Sequence, residues 1–211
     1  WIRDTLGWLL SGVSAVVGWL VDALANALLS LPIAAVIVVF AALAWLLRSW
    51  RFAIGTVGGF VLILGVGQWV TSMQTLALVL VAAIIAVVIA VPLGIAAARN
   101  DTFSAILRPV LDLMQSMPAF VYLIPAIVFF SIGVVPGVVA TVIFALPPGV
   151  RLTELGIRGV DSETVEAGHA FGATPGQILR GVQLPLAMPS IMAGINQLIM
   201  LALSMAVIAG I

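Results

Sequence analysis

The chain contains no lysine and no cysteine, and a single histidine, His169. Without cysteine there is no disulfide, no thiolate nucleophile and no cysteine metal site. Without lysine there is neither a P-loop lysine nor a Schiff-base lysine. One histidine argues against a histidine-based metal cluster. Charge of both signs is scarce. Eight arginines balance eight acidic residues, and charged residues make up 8% of the 211, against about 25% in an ordinary soluble domain. Hydrophobic residues fill 64% of the chain. A soluble domain of this size could not hide so much apolar surface. Soluble globular, disordered and nucleic-acid-binding classes are excluded, which leaves an all-α, polytopic helical membrane protein. Energy-consuming chemistry then belongs to a partner or to an ion gradient.

Charges punctuate the chain. None lies between Arg51 and Arg99. That interval is about 70 Å of helix, or two crossings of a 30 Å core. Gln68, Thr71, Ser72 and Gln74 mark the polar turn between them. None lies between Asp112 and Arg151, nearly two further crossings interrupted at Gly133–Gly137. The pattern predicts spans near 31–48, 53–70, 74–98, 118–133, 137–150 and 188–211. The fourth and fifth are short and carry Pro118, Pro125, Pro147 and Pro148. Broken helices at membrane depth are tolerated where they pack on protein or line a cavity, so both readings stay open. The chain opens at Trp1 and stops at Ile211 inside an apolar run. The expectation is a piece of a longer chain, with at least one further C-terminal helix.

Arginine placement predicts orientation. Arg48 and Arg51, then Arg99 and Arg108, then Arg151, Arg158 and Arg180 fall in alternate loops, while 69–74 and 133–137 carry none. The arginine-bearing loops are expected in the cytoplasm and the start of the first span outside. Residues 1–30 form a separate N-terminal element. Asp4, Gly7, Ser11, Ser14, Gly18, Asp22, Asn26 and Ser30 recur at helical spacing opposite a leucine and valine face. An interfacial helix with Trp1, Trp8 and Trp19 at headgroup level is favoured over a spanning one, because Asp22 and Asn26 are costly in lipid.

The longest polar segment is the loop 151–185. Asp161 or Ser162 can cap a short helix, and Glu163 and Glu166 suit its positive N-terminal end. Gly172 can end it in the left-handed conformation. Thr174 opens a second helix, with Pro175 at its first position and Gln177 completing a capping box. Pro185 is expected to limit its end. The result is a helix–glycine–helix knob on the cytoplasmic side, either folded against its own membrane face or a handle for a soluble subunit.

Glu166-Ala167-Gly168, then Gly172 and Val182-Gln183-Leu184-Pro185, resemble the EAA loop of ABC importer permeases, with matching spacing. Gly168 replaces the third alanine and Val182 an isoleucine. Met117-Pro118-Ala119-Phe120-Val121-Tyr122-Leu123, Phe144-Ala145-Leu146-Pro147-Pro148 and Ile191-Met192-Ala193-Gly194-Ile195-Asn196-Gln197 further resemble the permease of glycine betaine/proline betaine importers. The resemblance covers most of a permease domain at 31–211. It implies a homodimer in the inner membrane, two ATPase subunits on the cytoplasmic face that bind the ATP and magnesium, and an extracytoplasmic solute-binding protein. It implies no cofactor in this chain, no catalytic residue, no metal site and no nucleic-acid partner. The coupling residues it points to are Glu166, Ala167, Gly168, Gly172, Val182, Leu184 and Pro185. The implied solute is a quaternary ammonium zwitterion taken up for osmoprotection, with choline, carnitine or an amino acid as alternatives.

Candidate pathway residues are Gln115, Ser116, Phe120, Tyr122, Asn196, Gln197 and Ser204. Polar groups within spans face a cavity or bond to another helix, and both readings apply. His169 reads as a surface or docking residue and the methionines as adaptable packing. Arg108 and Asp112, four residues apart, are expected to pair on one helix, with a cytoplasmic gate contact as the sharper alternative. A gradient-driven carrier would place charges inside spans, and Phe52–Ala98 and Leu113–Val150 hold none. A membrane scaffold whose knob recruits a partner is the remaining alternative.

Overall fold

The computed structural model describes residues 2–209, with side chains from Gly7 onward. The expected placement of Trp1 and the last two residues of the sixth predicted span lie outside these residues. The described residues are almost wholly helical, and none of them forms a strand. The helices are α1 (Ile2–Ser30), α2 (Ile33–Leu47), α3 (Trp50–Gly65), α4 (Trp69–Arg99) and α5 (Asp101–Ser116). They continue as α6 (Phe120–Phe130), α7 (Val134–Arg158), α8 (Ser162–Ala170), α9 (Pro175–Ile178) and α10 (Leu184–Ala209). Contacts divide the chain into two units, one running through Val81 and the other from Ala82.

In the first unit α2 and α3 pack as a hairpin. Ser49 caps α3 by accepting from the Phe52 N–H, and Phe60 meets both Phe40 and Trp69 at ring distances of 5.5 and 5.9 Å. With 15 and 16 residues, these helices are shorter than the predicted spans. At 1.5 Å per residue each is about 22–24 Å long, short of a 30 Å core. In α1 the stretch Gly7–Ser30 is long and apolar enough to cross a membrane. Val17, Val21 and Ala25 are buried, while Asp22 and Asn26 are exposed.

In the second unit α7 and α10 form the central pair. They approach closely because glycines line the contact. A Cβ on Gly156 would fall 2.7 Å from Ser190 Cβ, and one on Gly194 would fall 2.9 Å from Leu152 Cβ. Gly149 is similarly enclosed by Ala90 and Leu198, and Gly94 of α4 lies against Val150 and Thr153 of α7. Small residues let backbones approach within lipid, where dispersion rather than the hydrophobic effect drives helix association. Two clusters flank the pair. Leu123, Ala126, Ala140 and Met205 join α6 to α7 and α10. Ile157, Leu179, Ala187 and Ile191 tie the ends of α7 and α10 together.

α5 and α6 meet at a bend of 96°. Met117 takes the extended conformation (φ −85, ψ 136) ahead of Pro118, as the proline ring requires of its neighbour. Among the described residues, four helical stretches are long and apolar enough to cross a membrane, and the bent pair α5–α6 passes the same test when taken together. α7 is longer than the charge-free stretch 137–150. It begins at Val134, just past Gly133 (φ 154), and continues through Arg151 and Glu154 to Arg158. Pro147 and Pro148 lie buried inside it without ending it.

Candidate functional site: the coupling knob and its ionic root

The loop after α7 folds into two short helices. Asp161 caps α8, its side chain accepting from the Glu163 N–H. The chain leaves α8 through Gly172 at φ +79, and the Ala173 N–H closes the turn on the Gly168 carbonyl. Thr174 caps α9 in a full capping box with Gln177, and Pro175 occupies the first helical position. These are the local signals read from the sequence. The α8–α9 hairpin closes over Gly168, where a Cβ would sit 3.3 Å from Ile178 Cγ1. The alanine usual at that position would fit only if Ile178 shifted slightly, so glycine here permits the tighter hairpin.

The expected stop at Pro185 does not occur. The chain passes from α9 through a π-turn, Leu179–Gln183, directly into α10, and Pro185 becomes part of that helix. A proline in a regular helix lacks one N–H and its ring strikes the carbonyl four residues back. Here Pro185 directly follows a turn of wider, i to i−5 bonding, in which the Leu184 N–H bonds to Leu179 O. The knob is therefore continuous with α10, in one apolar helical stretch from Pro175 to Ala209.

Glu166, Ala167 and Gly172 are exposed, as is His169, while Gly168, Val182 and Leu184 are half-buried and Pro185 is exposed. Sequence reasoning passed over the most prominent side chain of the knob. Phe171, between α8 and Gly172, is 92% exposed. An aromatic next to a left-handed glycine was the signal available for it.

The root of the knob is ionic. Glu154, one turn from the end of α7, is only 5% exposed. Its Oε1 accepts from Ser104 Oγ at 2.6 Å and Arg108 Nη2 at 2.9 Å, and forms an ion pair with Arg158 Nε at 3.0 Å. Arg158 also holds Asp101 at 2.7 Å and the Ala97 carbonyl at 2.8 Å. Arg151 pairs with Asp112. The expected pairing of Arg108 with Asp112 is thus replaced by two contacts between helices. A lone pair on one exposed helix face gains little. Across the α5–α7 contact, Glu154 and Arg151 offer better-placed partners. Glu154 was not singled out from the sequence, although its spacing to Arg151 and Arg158 puts three charges on adjacent turns of α7.

The pathway candidates fall into two groups. Gln115, Ser116, Phe120 and Tyr122 surround the α5–α6 bend, and Asn196, Gln197 and Ser204 lie on α10. No hydrogen bond among the described residues joins the groups. Ser116 and Ser204 donate to carbonyls of their own helices, Leu113 O and Met200 O. Tyr122 reaches back across the bend to Met114 O and lies 6.0 Å from the Phe144 ring, so it braces the bend. Gln115, Asn196 and Gln197 are exposed on this single chain. Among the described residues no group of three His, Asp or Glu could hold a metal ion.

Residues 90–211 match the family described as "Binding-protein-dependent transport system inner membrane component". The chain belongs to that family. It is a family of membrane permease subunits rather than catalytic enzymes. The chain is 52% identical over 209 residues to the glycine betaine transport system permease protein OpuAB of Bacillus subtilis, covering 99% of this chain and 74% of that protein. It is 47% identical over 216 residues to the glycine betaine/proline betaine transport system permease protein ProW of Escherichia coli, covering 99% of this chain and 61% of that one. The glycine betaine/carnitine transport permease protein GbuB of Listeria monocytogenes is 59% identical over 162 residues, covering 77% of this chain and 57% of that protein. The chain thus spans between about half and three quarters of the length of these relatives.

Proposed function

We propose that this chain is the membrane-spanning subunit of an ATP-driven importer that carries glycine betaine and related quaternary ammonium solutes into the cytoplasm. The observation that carries the reading is the EAA-type loop, folded as a capped helix–glycine–helix knob continuous with α10, in a chain whose relatives are named as betaine permeases. Two copies of the chain would enclose the pathway, with two ATPases on the knobs and a solute-binding protein on the opposite face. ATP and magnesium reside in the ATPases. The arginine-bearing loops face the cytoplasm, and the start of the first predicted span faces outward, in an inner membrane.

Closure of the ATPase dimer on ATP moves both knobs, and the helices joined to them open the pathway outward; hydrolysis resets it. Glu166, Ala167, Gly168 and Gly172 form the docking surface, with Phe171 at its tip, and Val182, Leu184 and Pro185 join it to α10. Gln115, Ser116, Phe120, Asn196, Gln197 and Ser204 line the pathway, and Tyr122 supports it. A weakly polar passage suffices, because the binding protein selects the solute. The diffuse positive charge of a quaternary ammonium group is attracted to aromatic faces such as Phe120.

The test is affinity purification of the full-length protein from its own membranes, with the native 161–185 loop or a scrambled one, followed by mass spectrometry. An ATPase recovered only with the native loop supports the reading. Absence of an ATPase from both samples refutes it. Radiolabelled glycine betaine uptake, competed with carnitine and choline, then fixes the solute.

A further inference from the structure

We infer that Glu154 is the positioning residue that carries displacement of the knob into the bent α5–α6 limb. This rests on the importer reading above. The knob continues α7 at one end and α10 at the other, and those two helices are locked by close backbone approach at Gly156 and Gly194. They move as one body. α5 is tied to that body in a different way. Its links to α7 are polar: Ser104 and Arg108 to Glu154, Asp101 to Arg158, and Asp112 to Arg151.

Glu154 is the centre of this tie. One carboxylate oxygen receives two donors from α5 and lies in ion-pair contact with Arg158 of α7, and the side chain is 7% exposed. The exposed pairs around it are screened and contribute little on their own. A buried, multiply hydrogen-bonded carboxylate fixes direction as well as distance, because its donors must follow it or be left unpaired. Glu154 lies four residues from the end of α7 at Arg158, so it is among the first side chains to be displaced when the knob moves. At its other end α5 reaches the 96° bend, where the Tyr122 hydroxyl donates to the Met114 carbonyl. A pull on Ser104 and Arg108 is therefore delivered to the bend.

The experiment uses the full-length permease assembled with its ATPase and binding protein in proteoliposomes. It measures ATP hydrolysis and radiolabelled glycine betaine uptake on the same preparations. Glu154→Gln keeps the shape and removes the charge. The expected result is an intact complex that hydrolyses ATP within about twofold of wild type, with uptake per ATP down about tenfold, inside the usual range for coupling between sites. Uptake per ATP unchanged in an intact complex overturns the inference. In an assembled complex, hydrolysis and uptake that fall together, with their ratio unchanged, mark a purely structural staple and also overturn it. Ser104→Ala removes one donor and leaves the charge, so it tests the same link where Glu154→Gln fails to assemble. It should lower uptake per ATP by about threefold, within the range of single-residue effects on coupling, and an unchanged ratio overturns the tie. Failure of the wild-type complex to couple uptake to ATP would refute the importer reading instead.

Discussion

Replacing Gly94 by alanine tests the close approach of α4 to α7. A Cβ at this position would lie 2.5 Å from Thr153 Cβ, 2.7 Å from the Val150 carbonyl oxygen and 2.8 Å from Thr153 Cγ2. Carbon atoms rest at about 3.5–4.0 Å, so the helices must separate by about 1 Å. Thr153 Cβ and the Val150 carbonyl oxygen are fixed by the backbone, so side-chain rotation cannot relieve the clash. Overpacking of this kind costs about 1–3 kcal/mol. Alanine recovers about 1 kcal/mol of helix propensity. The net expectation is a loss of about 0–2 kcal/mol, roughly fivefold in the folded-to-unfolded ratio at the midpoint of that range. Gly58→Ala in α3 is the control, since a Cβ there meets nothing within 4 Å and only the propensity gain of about 1 kcal/mol applies. The assay is the unfolding midpoint in mixed detergent and SDS micelles, followed by tryptophan fluorescence. Gly94→Ala unfolding at or above the wild-type midpoint, with Gly58→Ala behaving as expected, would refute the packing argument.

Three further outcomes concern the knob. Phe171→Ala should leave the purified chain as stable as wild type and weaken ATPase recovery, by about 2 kcal/mol if the ring is a docking anchor; equilibrium binding of the ATPase to permease nanodiscs measures it. Gly172→Ala forces a Cβ into a left-handed backbone, at about 1–2 kcal/mol, and should reduce ATP-driven uptake while membrane insertion, measured by protease protection, is unchanged. Thr174→Ala removes the capping box of α9 at a cost of about 1 kcal/mol, and hydrogen exchange should rise at the Pro175–Ile178 turn while that of α7 is unaffected.

Features set by neighbouring residues were legible in the sequence. Asp161, Gly172 and the Thr174–Gln177 box act within three or four positions of themselves, and each stands in the structure as its local chemistry dictates. The all-α class followed from composition, and the family from the spacing of Glu166, Gly172 and Pro185. What escaped depends on distant partners. Arg108 has an acidic neighbour four residues away, yet it bonds to Glu154, 46 positions on. Nothing local distinguishes these choices, because the outcome is decided by which helix faces α5. The passage through Pro185 escaped for a different reason. Proline was taken as a stop, yet Pro185 stands in the first turn of α10, directly after a π-turn that keeps the chain helical. α5 itself was not foreseen as a separate helix, because its Asp101, Arg108 and Asp112 interrupt the charge-free runs that mark spans.

The π-turn sets the angular phase of α10. Successive residues of a helix are separated by about 100° around its axis, so an insertion or deletion upstream rotates everything beyond it by that amount. Deleting one residue from Leu179–Gln183 would leave the composition of α10 almost unchanged. It would also turn the Gly156-facing and Gly194-bearing side of α10 away from α7 and bring larger side chains to the contact. The length of this segment is thus as restrictive as its sequence. Among permeases that share this contact, the knob should tolerate substitution between Thr174 and Leu184 more readily than any change in residue number.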